Sequence, residues 1–176
     1  RYLIDTVVSE RALREIYLRG FEIAVKQAGP WAIMSAYNQV NGSPASKSSK
    51  LLTTVLREEW GFDGVVVSDY FAIDQLQKTH RISGDSQTSA RLALTAGIDV
   101  ELPSTDCYGE PLSQAVQDGR VDEALVDRSV RRILAMKFRM GLFENPYVDE
   151  QKAAAVFDTA AQRDLARDIA RQSLVL

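Results

Sequence analysis

The amino-acid sequence predicts an α/β fold with parallel strands and crossover helices, the C-terminal part of a (β/α)8 TIM-like barrel. Strand and helix patterns alternate along the chain, which is typical of parallel sheets. Three polar residues that end apolar strand segments, Tyr37, Asp69 and Glu101, recur at intervals close to the roughly 30 residues of a βαβ unit. A complete barrel takes about 250 residues. The 176 residues, with three visible strands, therefore predict only the later part of one.

The helices are predicted where apolar residues recur at helical spacing between residues that favour helix ends. The first begins after Ser9 and runs over 10–26, to a stop at Gly29-Pro30. Glycines follow four of the other helical segments and favour helix ends there. The later predicted helices cover residues 50–60, 88–96, 111–118, 122–140 and 160–171.

The strands are predicted from short apolar segments bounded by turn residues. They cover residues 31–37, 64–68 and 98–102. Between the first two strands, residues 38–49 are predicted as a polar loop with a turn at Asn41-Gly42. In the third strand, Asp99 and Glu101 share the face opposite Ile98. A face with two acids favours the lumen of a barrel over the sealed face of a doubly wound sheet.

Composition and charge exclude several classes of function. Hydrophobic residues make up 45% of the chain and charged residues 26%, a globular balance, and the net charge of -3 predicts no nucleic-acid partner. No apolar run approaches 18 residues, so no membrane partner is predicted. The single cysteine, Cys107, and the single histidine, His80, leave no pattern for a disulfide or a metal site. The compartment stays open between cytoplasm, periplasm and secretion, since no signal peptide pattern follows Arg1.

The stretch GVVVSDY, residues 64–70, places a carboxylate directly after a buried strand. Parallel α/β sheets carry their functional groups at the carboxyl ends of their strands, so Asp69 is the leading candidate for chemistry. One interpretation is a nucleophile, general base or metal ligand. The other is an N-cap of the following helix.

Several stretches together resemble the glycoside hydrolase family 3 β-glycosidases. The most specific are WGFDGVVVSDY at 60–70 and MSAYNQVNG at 34–42, and AGIDVELP at 96–103 supports them. The form SDYFAI, with KFRMGLF at 137–143, is most similar to the bacterial β-glucosidase and β-xylosidase branch. The resemblance covers nearly the whole chain.

The resemblance implies a retaining, exo-acting glycosidase that removes terminal non-reducing β-D-glucosyl or β-D-xylosyl residues without a cofactor. Asp69 matches the family's nucleophile, which forms a covalent glycosyl-enzyme that water hydrolyses. Tyr37 matches a tyrosine beside that carboxylate, although it is also a candidate for capping a barrel core. Met34 and Tyr70 match positions that line the sugar subsite. Met34 is also suited to core packing, and many members carry Trp in place of Tyr70, so the preferred sugar stays open.

The resemblance also implies that this chain carries only part of the site. The general acid/base, usually a glutamate from a later domain, is expected beyond Leu176, and further sugar-binding residues are expected before Arg1. Glu101 is the acid in this chain best placed to replace the general acid/base, but the family does not use a residue at this position for that role. The implied partners are a β-glycoside or oligosaccharide and the missing N-terminal barrel part and C-terminal domain of the same protein. Residues 1–157 are assigned to the barrel, and 158–176 to a linker helix and the first strand of a following domain.

Two alternatives remain. A β-N-acetylhexosaminidase of the same family is disfavoured because those enzymes typically have Ser-Asp-Asp where this chain has Ser68-Asp69-Tyr70. The second alternative is a non-catalytic barrel segment that acts as a scaffold or sugar binder. Of the remaining polar residues, His80 is predicted to be solvated in preference to a loop position near the sugar. Asp99 and Glu101 are predicted to pair with strand-end donors or Arg and Lys side chains, and Cys107 to be a buried or half-buried thiol.

Overall fold

The computed structural model describes residues 3–174. The chain forms two compact units, divided between Met140 and Gly141. The strands are β1 Asp5–Thr6, β2 Ala32–Met34, β3 Gln39–Val40, β4 Ser43–Pro44 and β5 Val65–Val67. The α-helices are α1 Glu10–Ala12, α2 Arg19–Ile23, α3 Gln75–Lys78, α4 Ser86–Ala96, α5 Glu110–Gln117, α6 Glu123–Arg139, α7 Ala153–Val156 and α8 Ala160–Gln172. The π-helical segments are Leu13–Tyr17, Ala24–Ala28 and Lys50–Glu59, and the 3-10 turns are Ala45–Lys47 and Glu150–Lys152.

The central sheet has parallel strands, as the alternating pattern predicts. β2 pairs with β5 in the register Ala32↔Val65 to Met34↔Val67. The third predicted strand is reduced to one parallel bridge between Val67 and Val100, although the Ser68 amide also donates to the Val100 carbonyl at 2.8 Å. The three carboxyl ends therefore lie side by side at one edge of the sheet.

The connection after β2 contains a hairpin that was predicted only as a loop. β3 and β4 pair antiparallel around the predicted turn, where Asn41 and Gly42 have φ angles of 50° and 79°. β1 extends this small sheet, because it runs parallel to β3. The Asn41 side chain holds it in place by donating to the Val8 carbonyl at 2.9 Å. The hairpin thus depends on a partner from another part of the chain.

The first helical region begins and ends where the sequence predicts. The Ser9 hydroxyl accepts from the Ala12 amide at 3.2 Å and caps α1. The region continues through α2 and two π-helical segments to Ala28, and Gly29 ends it in the left-handed conformation with φ of 57°. Gly64, just before β5, has a different role, since a Cβ there would lie 2.4 Å from the Trp31 carbonyl oxygen. Glycine at that position lets the two strands start in close contact.

The core lies between the sheet and its helices. Its fully buried members come from β5, the segment after it, α4 and the third strand segment, and they include Val66, Ile73, Leu76, Leu94 and Ile98. The connection after β5, for which the sequence analysis gives no helix, contains α3, whose Leu76 packs into this core. α4 starts two residues earlier than predicted, because the Asp85 carboxylate accepts from the Thr88 amide at 2.6 Å and caps the helix there.

The second unit carries α7 and α8. A capping box of Thr159 and Gln162 starts α8, which confirms the last predicted helix. The strand expected to open at 172–176 is not supported at Gln172, which still belongs to α8, and Val175 and Leu176 lie outside the described residues. Within residues 3–174, no helix has the length and apolar character needed to cross a bilayer.

Candidate active site

Asp69 lies at the carboxyl edge of the sheet, two residues beyond the end of β5, with its side chain half-buried. Its carboxylate oxygen Oδ1 accepts from the Tyr70 amide at 2.7 Å, and its carbonyl accepts from the Ala72 amide at 3.0 Å. The N-cap interpretation fails, because α3 begins only at Gln75. The carboxylate is therefore oriented by its neighbour's amide and keeps access to solvent.

Two residues fix the turn that carries Asp69 to the next strand segment. The Ser68 hydroxyl is fully buried and accepts from the Leu102 amide at 2.9 Å. The Phe71 amide donates to the Leu102 carbonyl, also at 2.9 Å. Sequence analysis singled out neither Ser68 nor Phe71. The only available signal was their position on either side of a candidate carboxylate.

Tyr37 follows the strand next to that of Asp69. Met34 is in register with Val67, and the Ser35 amide donates to the Val67 carbonyl at 2.9 Å, so Tyr37 and Asp69 follow neighbouring strands at the same edge. Tyr37 is half-buried. The sheet thereby brings the two candidate residues to one side of the molecule.

The two residues predicted to line a sugar subsite are both accessible. Tyr70 is 56% exposed and Met34 is 59% exposed. Met34 lies at the end of β2 and Tyr70 directly follows Asp69, so both belong to the same edge. Met34 is not buried within residues 3–174, and its two interpretations, the sugar subsite and packing in a complete barrel, both stay predictions.

His80 is not the solvated residue that the sequence predicts. It is half-buried, with Nε2 2.9 Å from the Tyr37 carbonyl and Nδ1 3.2 Å from the Gln39 side-chain amide. A carbonyl only accepts and an amide nitrogen only donates, so Nε2 carries the proton in this arrangement. His80 therefore ties the segment after α3 to the turn that carries Tyr37. Its position in a polar loop gave no signal of this contact.

Glu101 is engaged with the backbone of the loop that follows it. Its carboxylate accepts from the Cys107 amide at 2.9 Å and from the Tyr108 amide at 2.6 Å. Burial raises the pKa of Glu101 above its ordinary value, against the opposing effect of these two amides. The prediction that Glu101 satisfies nearby donors is confirmed. This engagement also disfavours Glu101 as a replacement acid/base.

Asp99 does not face an open lumen, so the expectation drawn from the alternation of the third strand is wrong for this residue. Its side chain is fully buried and forms ion pairs with Arg57 and Arg132, each at 2.8 Å. It also accepts from the Ser129 hydroxyl and the Val66 amide, each at 2.9 Å. Three of these partners lie on helical segments, which turn the side chain toward them. The prediction that Asp99 pairs with arginine side chains is confirmed.

This cluster around Asp99 supports the strand that carries Asp69. Arg57 also donates to the Gly64 carbonyl at 3.0 Å, so it joins the π-helical segment Lys50–Glu59 to the start of β5. Desolvation by burial lowers the pKa of the Arg57 guanidinium to about 10, against the opposing attraction of Asp99. An acid that is saturated in this way is structural and has no free oxygen for chemistry.

The described residues contain no group of three or more His, Cys, Asp or Glu side chains placed to hold a metal ion. Cys107 is a free, fully buried thiol, as predicted. Burial, followed by the nearby charge of Glu101, raises the pKa of this thiol to about 12. The candidate side chains that the structure places at this edge are the Asp69 carboxylate and the phenols of Tyr37 and Tyr70.

Fold and site together define an α/β protein in which parallel strands present a carboxylate at their carboxyl edge. The chain belongs to glycosyl hydrolase family 3. The model of that family's N-terminal domain, "Glycosyl hydrolase family 3 N terminal domain", matches residues 4–136.

Similar proteins of known name and structure agree with this family. The chain is 40% identical to the thermostable beta-glucosidase B of Acetivibrio thermocellus, over 100% of this chain and 21% of that protein. It is 37% identical to a putative beta-xylosidase of Formosa agariphila, over 96% of this chain and 22% of that protein. The solved structure of a beta-glucosidase from Listeria innocua in complex with glucose has a TM-score of 0.85 and 34% identity, over 93% of this chain and 22% of that one. The chain thus spans about a fifth of the length of the relatives that it matches.

Proposed function

We propose that the full-length protein is a retaining, exo-acting β-glycosidase that releases terminal non-reducing β-D-glucosyl or β-D-xylosyl residues, with Asp69 as its nucleophile. The observation that carries the proposal is the place of Asp69: a half-buried carboxylate just past the end of a buried parallel strand. Family membership and the β-glucosidase and β-xylosidase names of its relatives support it.

In the proposed reaction, a carboxylate oxygen of Asp69 attacks the anomeric carbon of the terminal sugar. The bond to the leaving-group oxygen breaks, and that oxygen takes a proton from a general acid supplied by the rest of the protein. Water then hydrolyses the covalent glycosyl-enzyme, and the anomeric configuration is retained.

The Tyr70 amide holds Oδ1 at 2.7 Å, which leaves Oδ2 to face the sugar. In this proposal Tyr37 orients the carboxylate, and Met34 and Tyr70 meet the apolar face of the sugar.

The proposal includes a (β/α)8 barrel of which residues 1–157 are the C-terminal part, with 158–176 as a linker into a following domain. Uncovered apolar surface supports it. An apolar groove of about 370 Å³ lies between the first helical region and β2, and Leu13, Tyr17, Phe21, Met34 and Trp60 are among its lining residues. Ser35 also lines it, and the buried Ser35 hydroxyl has no hydrogen-bond partner within residues 3–174. Preceding strands and helices of the same protein would cover the part of this groove formed by Leu13, Tyr17, Phe21 and Trp60 and supply that partner, whereas Met34 would face the sugar.

The test labels the full-length protein with the 2-deoxy-2-fluoro β-glycosyl fluorides of glucose and xylose and maps the label by mass spectrometry. The label is expected on the peptide that contains Asp69, and the sugar that reacts faster identifies the preferred substrate. Asp69→Ala should lower kcat/KM by about a thousandfold or more, whereas Asp63→Ala, at an exposed site before β5, should change it little. A label on another carboxylate, or full activity of Asp69→Ala, would refute the assignment. The second outcome would favour the scaffold alternative.

A further inference from the structure

Phe71 places an exposed aromatic ring on a backbone that is unfavourable for it. Its φ angle is 62°, in the left-handed region that glycine adopts freely and that other residues avoid. The ring is 46% exposed, so burial of apolar surface does not offset this cost. A strained backbone conformation that is not offset by burial of the side chain motivates a hypothesis of function.

Hydrogen bonds on both sides hold Phe71 in this conformation. Its amide donates to the Leu102 carbonyl at 2.9 Å, and its carbonyl accepts from the Gln75 amide at 2.9 Å. Leu102 is itself fixed, because its amide donates to the buried Ser68 hydroxyl. The direction in which the Phe71 ring leaves the chain is therefore set by the framework that also carries Asp69.

The ring belongs to the exposed part of the turn after β5. Asp69 is half-buried, Tyr70 and Phe71 are exposed, and Ala72 returns to the core. The Tyr70 and Phe71 rings meet edge to face, with centroids 6.5 Å apart and planes at 79°. They form a corner of two nearly perpendicular aromatic surfaces that opens to solvent immediately beside the carboxylate.

We propose that Phe71 is a specificity-determining residue that contacts the leaving group of the substrate, an inference that rests on the proposed function. An exo-acting enzyme encloses the terminal sugar, and the leaving group extends outward past the scissile bond. An exposed ring two residues after the nucleophile would meet a leaving group that extends outward from the enclosed sugar. A phenyl ring has no polar group, so it acts by contact with apolar faces of a sugar or an aromatic leaving group.

The test compares leaving groups on one sugar with the full-length enzyme. The substrates are the 4-nitrophenyl β-glycoside, whose leaving group is an aromatic ring, and the β-glycosyl fluoride, whose leaving group is a single atom. Phe71→Gly removes the ring and relaxes the backbone, and Phe71→Tyr keeps the ring as the matched control. For Phe71→Gly, kcat/KM should fall about three- to tenfold on the aryl glycoside and stay unchanged on the fluoride. Phe71→Tyr should stay within about twofold of wild type on both.

A purely structural role for Phe71 predicts different results. Equal losses on both substrates, or a lowered unfolding temperature of Phe71→Gly with an unchanged ratio of the two kcat/KM values, would overturn the proposal. The second result would mean that the ring packs against another part of the full protein. If Phe71→Gly does not fold, Phe71→Asn replaces it, since Asn tolerates the left-handed region. Failure of the proposed function itself is recognised separately, because Asp69→Ala would then remain active.

Discussion

Replacing Asp99 by asparagine should strongly destabilise the protein. The side chain of Asp99 is 0% exposed and neutralises two guanidinium groups. Arg57, 10% exposed, has little access to solvent, whereas Arg132, 23% exposed, can partly rehydrate. The variant therefore leaves about one uncompensated buried charge, which costs about 3–5 kcal/mol of unfolding free energy.

The assay is urea denaturation of the full-length protein, with the free energy change taken from the shift of the midpoint. Asp63→Asn is the control, because Asp63 pairs with Arg139 at 2.9 Å but is 74% exposed. An exposed pair contributes at most about 1 kcal/mol, so the control should shift the midpoint little. Adding Arg57→Met to Asp99→Asn should recover part of the loss, since it removes the unpaired charge.

The reasoning is refuted if Asp99→Asn costs no more than Asp63→Asn. The ion pairs Arg57–Asp99 and Arg139–Asp63 have nearly equal distances, 2.8 Å and 2.9 Å. Asp99 differs in being buried and in having three further partners, so a larger loss at Asp99 reports the buried cluster as a whole. Equal effects would mean that burial does not govern the energetics of the Asp99 cluster. No recovery on adding Arg57→Met would mean that the loss comes from Val66 or Ser129 instead.

Two further predictions concern the loops at the carboxyl edge. Burial raises the pKa of Glu101 above 4.5, so the folded state binds its proton more tightly and the contribution of Glu101 to stability falls as pH rises from about 4.5 through the folded pKa. Glu101→Gln keeps one oxygen to accept from the Cys107 and Tyr108 amides and should remove this loss of stability with rising pH. Urea midpoints between about pH 4 and 7 test this, and a pH dependence of the midpoint equal to that of the wild type contradicts the prediction. His80→Gln retains a donor at the Nε2 position for the Tyr37 carbonyl. The side chain in His80→Asn is too short to reach that carbonyl, so this variant should lose about 0.5–1.5 kcal/mol of unfolding free energy and part of its activity. Parallel urea midpoints and kcat/KM values test this, and equal behaviour of the two variants would exclude the hydrogen bond as the cause.

The sequence predicted the features that depend on neighbours along the chain. Ser9 caps the first helix, and Gly29 ends that helical region in the left-handed conformation. The parallel pairing and the placing of Tyr37 and Asp69 at one edge follow from the alternation of elements, because each βα unit returns the chain to the same side. Helix ends depend on the residues beside them, and parallel pairing depends on the order of strands and helices, so both can be predicted from the sequence.

Features that depend on distant partners were missed or misjudged. The face of Asp99 is decided by Arg57 and Arg132, which are far from it in the sequence and lie on separate helical segments. Alternation along a strand says which residues share a side but does not say what covers that side. The contact of His80 with the Tyr37 carbonyl likewise joins two loops, and no periodicity reports a contact between loops.

The burial of Cys107 makes its thiol a probe of loop opening at the carboxyl edge of the sheet. The thiol is the only one in the sequence, it is fully covered, and its pKa of about 12 keeps it protonated near neutral pH. An alkylating reagent reacts only after the loop anchored on Glu101 lifts away and the thiol ionises in water. The rate of alkylation therefore measures how often that loop opens, and slower alkylation with a sugar bound would reveal that the ligand keeps it shut.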